Sequence, residues 1–460
     1  MVAGTASNVG KSWMTTAICR WLVRQGYSVA PFKAQNMSNN SYPCAGGGEI
    51  GRAQVAQAEA CFLESEPDMN PILLKPNSDT GSQVVVNGKV WRNLPAREYY
   101  GQFPWLLDQV LAAYHRLAAK HDFVVLEGAG SISELNLKPT DLVNLGLATR
   151  LNVPVLLVAD IDRGGIFASI VGTFALLDEN ERSLVRSFAV NRFRGDPALF
   201  ETGVDLLETH TGKPCMGVFP YLHDAPLDPE DGVDFDGVGE ADSDIGIIAL
   251  PHISNISDFR LIPHARRIQR PIDAHLPCVM IPGTKNTLGD LAWLRKTGLA
   301  DWILDQHRQG AKIIGICGGY QIMGDRIDDP LAMESAHGSA EGLGLLPVRT
   351  VLAAEKTTRR VSARTPSGIE FDAYEIHLGV TTARGDPFAT LRDGTPDGIR
   401  TATCTGTYLH GALENPQVLG ELLGRTIAPL PSRESTYEAL ADWFEANVNR
   451  KRFEELYLCS

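Results

Sequence analysis

The sequence predicts an α/β protein of two domains, each built on a mostly parallel sheet with helices on both faces. Short apolar runs alternate with helical patterns in the first half, and 124–126, 153–159 and 188–190 are strand candidates. The alternation stops in the acidic, Pro- and Gly-containing stretch 223–244 and restarts with runs at 245–250, 278–281 and 312–316. Such alternation is typical of parallel sheets covered by helices. We therefore expect domains at 1–230 and 245–450, joined by a linker at 231–244.

Composition excludes several classes of partner. The 460 residues exceed what one hydrophobic core usually supports, and the net charge of −13 disfavours nucleic-acid or anionic membrane surfaces, which require clustered Lys and Arg. No apolar run approaches the ~20 residues of a membrane helix. The eight cysteines are scattered without metal-ligand spacing. We expect a cytoplasmic protein with reduced thiols and small-molecule partners, and the sequence indicates no oligomeric state.

A glycine-rich segment near the start of the chain predicts a nucleotide site. The sequence GTASNVGKS at 4–12 precedes a helical pattern over 13–25. Glycines such as Gly10 let backbone N–H groups face phosphate, Lys11 adds positive charge, and the Ser12 hydroxyl can ligate Mg²⁺. Five residues separate Gly4 from Gly10, one more than in GxxxxGK[ST] loops. This spacing resembles dethiobiotin synthetase and its relatives, P-loop enzymes that activate carboxylates, and it implies ATP and Mg²⁺ as cofactors.

Two further positions complete the expected nucleotide site. Glu127 ends the apolar run 123–126 and is followed by glycines, so its carboxylate is the expected metal ligand beside Ser12. Asn191 follows the run 188–190, where relatives place an asparagine that contacts adenine, although Asn is equally common in turns. Only three residues precede Gly4, whereas a strand usually has about five. We expect either a shortened first strand or additional residues upstream.

Several segments between these points resemble cobyric acid synthases, and together with the second domain they cover nearly the whole chain. They lie at 31–40, 49–54, 69–76, 81–83, 160–168 and 191–196. Their cationic and amide side chains suit a substrate with several carboxylates and amides. Each basic residue alone is more often a solvated surface charge. As the substrate-binding set we predict Lys33, Gln35, Asn36, Arg52, Lys75 and Arg163.

The second domain contains a sequence typical of a nucleophile elbow. In KIIGICGGYQ, at 312–321, an apolar strand leads into Cys317, two glycines and a helical pattern that we expect to continue to Asp325. The segment resembles the glutaminase elbow of flavodoxin-like class I glutamine amidotransferases. Backbone N–H groups at Gly318 are expected to stabilise the oxyanion. The loop PGTKNT, which contains Gly283, resembles the family's loop near the glutamine pocket.

The general base is expected at His410, in GTYLHG, which matches the amidotransferase histidine. Two residues later the usual orienting acid is replaced by Ala412, a lack that cobyric acid synthases share. Either another group holds the imidazole, or the glutaminase is weak and depends on the other domain. His377 is the rival base, since Glu375 shares its strand face; we expect it to be structural or at a domain contact.

Together these features imply an ATP- and glutamine-dependent amidation. By resemblance, the substrate is adenosylcobyrinic a,c-diamide, amidated at its b, d, e and g carboxylates to cobyric acid through acyl phosphates and ammonia. The same two domains occur in cobyrinic acid a,c-diamide synthase, which is the alternative within the class. A regulatory P-loop ATPase with an inactive amidotransferase domain is the alternative of another class.

Overall fold

The computed structural model describes residues 1–77, 81–222, 243–334 and 338–459. Two parallel sheets, one in each half of the chain, form its framework, and the predicted α/β class with two domains is confirmed. The predicted linker at 231–244 lies outside the described residues except for its last two positions. No helix in the described part of the chain is both long and apolar enough to cross a membrane.

The first half of the chain contains twelve strands and eight α-helices among its described residues. The strands are β1 (Val2–Gly4), β2 (Val29–Phe32), β3 (Gln35–Met37), β4 (Ser41–Pro43), β5 (Glu49–Gly51), β6 (Ile72–Pro76), β7 (Gly81–Val86), β8 (Lys89–Pro95), β9 (Phe123–Leu126), β10 (Val155–Asp160), β11 (Val185–Phe193) and β12 (Cys215–Pro220). The helices are α1 (Lys11–Arg24), α2 (Arg52–Ala60), α3 (Ala96–Tyr100), α4 (Phe103–Ala118), α5 (Leu145–Leu151), α6 (Ile166–Leu176), α7 (Glu179–Leu184) and α8 (Glu201–Thr211).

The central sheet of this half has the order β2-β9-β1-β10-β11-β12, and all its pairs are parallel. A single parallel bridge between Val2 and Glu127 joins β9 to β1. All six residues of β10, VLLVAD, are buried, as expected for a strand inside a sheet covered on both faces. Because the strands are parallel, the loops after β1, β9, β10 and β11 meet at one edge. The nucleotide-site residues predicted from the sequence all lie in those loops or at those strand ends.

The second half has a parallel sheet of its own and a long hairpin beside it. Its strands are β13 (Ile245–Ile248), β14 (Ile253–Ser254), β15 (Arg266–Ile268), β16 (Cys278–Ile281), β17 (Gly283–Thr284), β18 (Lys312–Ile316), β19 (Arg326–Asp328), β20 (Ser339–Glu341), β21 (Val348–Arg364), β22 (Glu370–Ala383), β23 (Ala389–Leu391), β24 (Pro396–Asp397), β25 (Ile399–Arg400) and β26 (Cys404–Thr407). Its helices are α9 (Thr287–Lys296), α10 (Leu299–Arg308), α11 (Gly318–Ile322), α12 (Pro416–Leu423), α13 (Arg433–Asn447) and α14 (Arg450–Phe453).

In the order β15-β13-β16-β18-β26-β25, all pairs of the second sheet are parallel except the edge pair β25–β26. The hairpin β21–β22 is antiparallel and extends over the glutaminase side of this sheet, where it contacts β4 of the first half. The alternation of apolar runs did not predict this hairpin, because its residues are half exposed and rich in Thr and Arg.

The end of the chain returns to the first half. Helix α13 packs against α1, and its Phe444 ring lies 5.5 Å from the ring of Trp21 and 5.3 Å from that of Phe453. At the same contact Arg20, which is fully buried, pairs with Glu434 at 2.7 Å. The core around the phosphate-loop helix is therefore completed by residues more than 400 positions further along the chain.

Removing the Phe444 ring is expected to destabilise the nucleotide-binding half. Phe444 is fully buried, so Phe444→Ala leaves a cavity next to Trp21 and lowers the free energy of unfolding by about 3–5 kcal/mol. Denaturant titration followed by tryptophan fluorescence measures this. Leu199→Ala, at a side chain that is 83% exposed, is the control and changes stability by less than about 0.5 kcal/mol. Equal stabilities of the two variants would contradict the assignment of α13 to the core of this half.

Candidate active site

The phosphate loop is held in shape by its own lysine and by a neighbouring strand. Gly10 has a φ of 96°, a left-handed conformation that suits glycine, and α1 begins immediately after it. The Lys11 ammonium donates to the carbonyl oxygens of Ala6 at 3.0 Å and Gly130 at 2.9 Å. Asn191, predicted to contact adenine, donates its side-chain amide to the Val9 carbonyl at 2.8 Å. Asn191 therefore supports the loop from the end of β11.

Glu127 is the centre of a buried polar cluster beside this loop. Its Oε1 accepts hydrogen bonds from Ser12 Oγ at 2.9 Å and Lys33 Nζ at 3.0 Å, and Oε2 accepts one from the Gln57 amide. Mg²⁺ takes oxygen donors, and proteins usually bind it through one or two side-chain oxygens while phosphates and water supply its other ligands. The described residues include no group of three or more His, Cys, Asp or Glu that could hold a metal alone. Ser12 and Glu127 thus fit a magnesium ion shared with a nucleotide.

The six predicted substrate residues fall into two groups. Arg163 is exposed in the loop after β10. The other five are already in contact with protein groups: Lys33 with Glu127 at 3.0 Å, Gln35 with Tyr99, Asn36 with Gln54 at 2.9 Å, Arg52 over the Tyr42 ring at 4.5 Å, and Lys75 with Glu49 at 2.9 Å.

Cys317 lies on the sharp turn that the sequence predicted. It follows β18 with φ 51° and ψ −108°, its N–H donates to Thr407 O at 2.8 Å, and its thiol lies 3.7 Å from Ile376 O. The turn requires small neighbours, because a Cβ on Gly318 would come within 3.0 Å of the Thr284 nitrogen. Helix α11 ends at Ile322, three residues before the predicted end, because Asp325 N–H bonds to Val348 O outside the helix.

His410 is fully buried and is held by an acid that the sequence reasoning missed. Its Nδ1 lies 2.7 Å from Asp258 Oδ2, and Asp258 Oδ1 accepts the Gly411 N–H at 2.7 Å. Nε2 forms no hydrogen bond with any residue that the structure describes, and Cys317 lies close enough to the ring to raise its pKa. A Cβ on Gly283 would lie 3.1 Å from His410 Cε1, so the predicted oxyanion loop borders the same ring.

The electrostatics of His410 favour its charged form. Burial lowers the pKa of the imidazole. The Asp258 carboxylate and its hydrogen bond, together with Cys317, raise the pKa by more than burial lowers it, and the net value is about 10. The net effect is an imidazolium at neutral pH. A cationic imidazole beside a cysteine sulfur is the arrangement that stabilises thiolate nucleophiles.

His377 is held away from the base position. Its Nδ1 lies 2.8 Å from Gly379 O, its Nε2 is 3.4 Å from Glu375 Oε1, and its ring stacks on Tyr408 with 3.8 Å between centroids. It nevertheless lines the cavity that contains Cys317. The predicted pairing of Glu375 and His377 on one strand face is present.

The acid Asp258 is positioned through contacts with the first half of the chain. It lies in a 3₁₀ turn, Ile256–Phe259, that follows the left-handed residue Asn255. Asn255 Oδ1 accepts the Ser41 N–H at 3.0 Å, and Asn40 Oδ1 accepts the Ile256 N–H at 3.1 Å. The loop that orients the base is therefore bound to the segment between β3 and β4.

A buried ion cluster lies at the same interface. Glu49, which is 1% exposed, accepts from Lys75 at 2.9 Å and from Lys356 of the second half, and Ser41 Oγ also donates to it at 2.8 Å. Lys75 lies on the wall of the Cys317 cavity together with Lys356. Burial raises the pKa of Glu49, but the two lysines lower it more, to well below its usual range. The glutaminase cavity is thus lined by residues of the second half together with Lys75 of the first half.

Comparison with known proteins agrees with this geometry. Residues 1–235 match the CobQ/CobB/MinD/ParA nucleotide binding domain, and residues 244–418 match the CobB/CobQ-like glutamine amidotransferase domain. Cobyric acid synthases of Dehalococcoides mccartyi strains CBDB1 and BAV1 (ATCC BAA-2100) are each 42% identical to this chain over 98% of its length and 97% of theirs. The chain belongs to the cobyric acid synthase family. It is an enzyme of the glutamine-dependent amidating ligases.

In this member of the cobyric acid synthase family, Asp258 is the acid that orients the His410 ring, whereas Ala412, at the usual position of that acid, has no carboxylate. A search limited to the residues just after His410 cannot find it, because it precedes the histidine by 152 positions. The available signal was the single acid in the stretch HISNISDF, shortly after the first strand of the second domain.

Replacing Asp258 tests its hold on His410. Asp258→Asn is expected to lower the kcat of glutamine hydrolysis about 10²- to 10⁴-fold, because the amide no longer stabilises the imidazolium or its orientation. Exposed Asp301→Asn is the control and should match wild type. Hydrolysis is measured as glutamate release. Wild-type turnover in Asp258→Asn would remove the carboxylate from the mechanism.

The same variant has an expected pH signature. The folded-state pKa of His410 is raised above 6.5, so its contribution to stability is complete below about pH 6.5 and is lost as the pH rises through about 10. Asp258→Asn should therefore be less stable than wild type by about 1.5–3 kcal/mol at pH 6–7, with a difference that shrinks toward pH 10. Urea unfolding across this range measures it. A constant difference would show that the cost is not the charge interaction.

The interface cluster is expected to be costly to break. Glu49→Gln leaves Lys75 and Lys356 buried without their shared carboxylate and should destabilise the protein by about 3–5 kcal/mol. The control is Glu64→Gln, which removes the 73%-exposed partner of Arg360 at the same interface and should cost less than about 1 kcal/mol. Thermal and denaturant unfolding compare the two. Similar small losses would show that the cluster does not contribute to the contact between the halves.

Proposed function

We propose that this chain amidates corrin side-chain carboxylates, using ATP to activate the carboxylate and glutamine to supply ammonia. One observation carries the proposal: the turn that carries Asp258, the acid behind His410, is hydrogen-bonded to the nucleotide-binding half, which also contributes Lys75 to the Cys317 cavity. A glutaminase built in this way is arranged to work together with a second reaction on the same chain. We also propose that the domains span 1–230 and 245–450. Helix α13 lies within the second range, but it packs against α1 of the first domain.

In the glutaminase step, the Cys317 thiolate attacks the amide carbon of glutamine. The oxygen gains negative charge, which backbone N–H groups near Gly283 and Gly318 stabilise. The His410 imidazolium donates its proton to the amide nitrogen, and ammonia leaves as the C–N bond breaks. Water, deprotonated by the now neutral imidazole, cleaves the thioester and gives glutamate. Asp258 keeps the ring oriented throughout these steps.

In the ligase step, a substrate carboxylate oxygen attacks the γ-phosphorus of ATP, and ADP leaves. Ammonia then attacks the carbonyl carbon of the acyl phosphate, and phosphate leaves with the C–O bond electrons, which gives the carboxamide. Lys11 and the loop N–H groups bind the phosphates, and Asn191 keeps the loop in place. Ser12 and Glu127 would hold Mg²⁺, which when bound neutralises phosphate charge.

The substrate we propose is adenosylcobyrinic a,c-diamide, converted to cobyric acid by amidation at b, d, e and g. Within this proposal Arg163 contacts the substrate directly. Lys33, whose ammonium lies 3.0 Å from Glu127, would lie beside the reacting groups. Gln35, Asn36, Arg52 and Lys75 shape the cleft through their contacts. The proposed partners are small molecules only, in the cytoplasm.

Cys317→Ser separates the two steps. Glutamine-dependent amidation should fall at least about 10³-fold, because the nucleophile is lost, while amidation from ammonium salts continues and increases at alkaline pH. Mass spectrometry of the corrinoid, counting one amide per mass change, follows both. A folded, ATP-binding Cys317→Ser that fails with ammonium would end this division of labour, and full glutamine-dependent activity would favour the regulatory ATPase.

Variants at the nucleotide site should lose activity with ammonium as well as with glutamine. Lys11→Ala is expected to abolish amidation from either nitrogen source, because the carboxylate is no longer activated. Glu127→Gln should lower kcat far more than it raises the KM for the corrinoid. Lys89→Ala, an exposed lysine in β8, is the control. Near-normal turnover in either variant would refute the nucleotide-site assignment.

A further inference from the structure

The cavity at Cys317 contains more charge than thiol chemistry requires. Its wall includes three lysines, Lys75, Lys285 and Lys356, and one glutamate, Glu334. Lys75 and Lys356 share the carboxylate of Glu49, so each of these two ammonium groups has an ion-pair partner within the protein. Lys285 and Glu334 differ from this pair, because neither of them forms an ion pair with a residue that the structure describes.

Lys285 is a buried cation without a partner of its own. Its side chain is 9% exposed, and its ammonium makes no hydrogen bond or ion pair with any residue in the described parts of the chain. The backbone is fixed, since the Lys285 N–H bonds to His252 O at 2.9 Å. A buried ammonium without a partner is costly, and burial accordingly lowers the pKa of Lys285. An anionic group in the cavity would offset that cost by pairing with the ammonium.

Glu334 provides a negative charge on the same cavity. One carboxylate oxygen, Oε2, accepts the N–H of Thr287 at 2.8 Å. Burial raises the pKa of Glu334, and Lys285 opposes this effect. The two groups therefore interact through space, yet they form no ion pair within 4.0 Å among the described residues. A separated cation and anion beside a nucleophilic thiol match a ligand that carries both charges and a reactive amide.

We propose that Lys285 binds the α-carboxylate of glutamine and Glu334 binds its α-ammonium group, so that the cavity selects the free amino acid. This inference rests on the proposed glutaminase function. Glutamine within a peptide lacks both charges and would leave Lys285 and Glu334 unpaired, which is the strongest form of discrimination available to a buried polar site. The side-chain amide is then directed to Cys317, next to Gly318.

Binding can be measured without turnover by placing variants in a Cys317→Ser background. Isothermal titration with L-glutamine should give a Kd raised about 10- to 100-fold by Lys285→Met and by Glu334→Gln, the loss expected for one charge-assisted hydrogen bond. Lys296→Met, an exposed lysine at the end of α9, is the matched control and should leave the Kd unchanged. Lys285→Arg keeps the charge and should recover part of the affinity.

Two analogues distinguish recognition from a merely structural role. 4-Aminobutanamide is glutamine without the α-carboxylate, and glutaramate is glutamine without the α-amino group. Lys285→Met should lose selectivity for glutamine over 4-aminobutanamide and keep it over glutaramate. Glu334→Gln should show the reverse pattern. Ratios of kcat/KM for amide hydrolysis by enzymes with Cys317 intact give these selectivities.

The proposal is overturned if either variant weakens all three ligands equally, or if neither changes the Kd for glutamine while thermal unfolding shows a folded protein. Exchanged patterns would reverse the two assignments. Failure of wild type to amidate a corrinoid from ammonium would refute the proposed ligase function and leave the glutamine-binding result standing. Absence of glutamine binding by Cys317→Ser itself would refute both the donor and this inference.

Discussion

The hydrogen bond between Asp258 and His410 is the interaction on which the glutaminase site depends. Both groups are buried, and the 2.7 Å contact fixes the orientation of the ring. A buried carboxylate is stable only when its lone pairs are satisfied, and the Gly411 N–H satisfies the second oxygen. The base, its orienting acid and the turn that carries the acid therefore form one unit, although they come from distant parts of the sequence.

That unit does not belong to one domain alone. Asn40 and Asn255 exchange hydrogen bonds to each other's neighbouring N–H groups, which binds the turn of Asp258 to the segment after β3. The same segment begins near Lys33, whose ammonium contacts the Glu127 carboxylate in the nucleotide site. Seven residues of chain thus connect a phosphate site to a thiol site. The ring of Tyr42 also lies 4.6 Å from that of Tyr374, which in turn stacks on His410.

Sequence reasoning found the parts of the site that have local signatures. The strand-end position of Glu127, the glycines around Lys11 and the turn at Cys317 are each specified by neighbours within ten residues, and local chemistry is enough to predict them. Asp258 has no such signature, because its role arises only when the turn after β14 folds against the segment after β26, 152 positions further along the chain. The hairpin β21–β22 was not predicted, because the pairing of two strands depends on contacts between them and not on the apolar pattern of either strand alone.

The charged groups beside each basic residue indicate whether that residue binds a ligand or stabilises the protein. A lysine that already shares a buried carboxylate contributes little to binding an anion unless that carboxylate changes partner, since the desolvation and pairing energies are already set. Lys75 is such a residue: its pKa is lowered to about 7, with burial the largest cause, and Glu49 opposes that effect. Lys285 differs because no carboxylate of the described protein lies within ion-pair distance. Lys75 is 3% exposed and Lys285 is 9% exposed, and both line one cavity, yet the charged groups beside them predict different roles. We expect Lys75 to stabilise the interface between the two halves and Lys285 to bind the ligand.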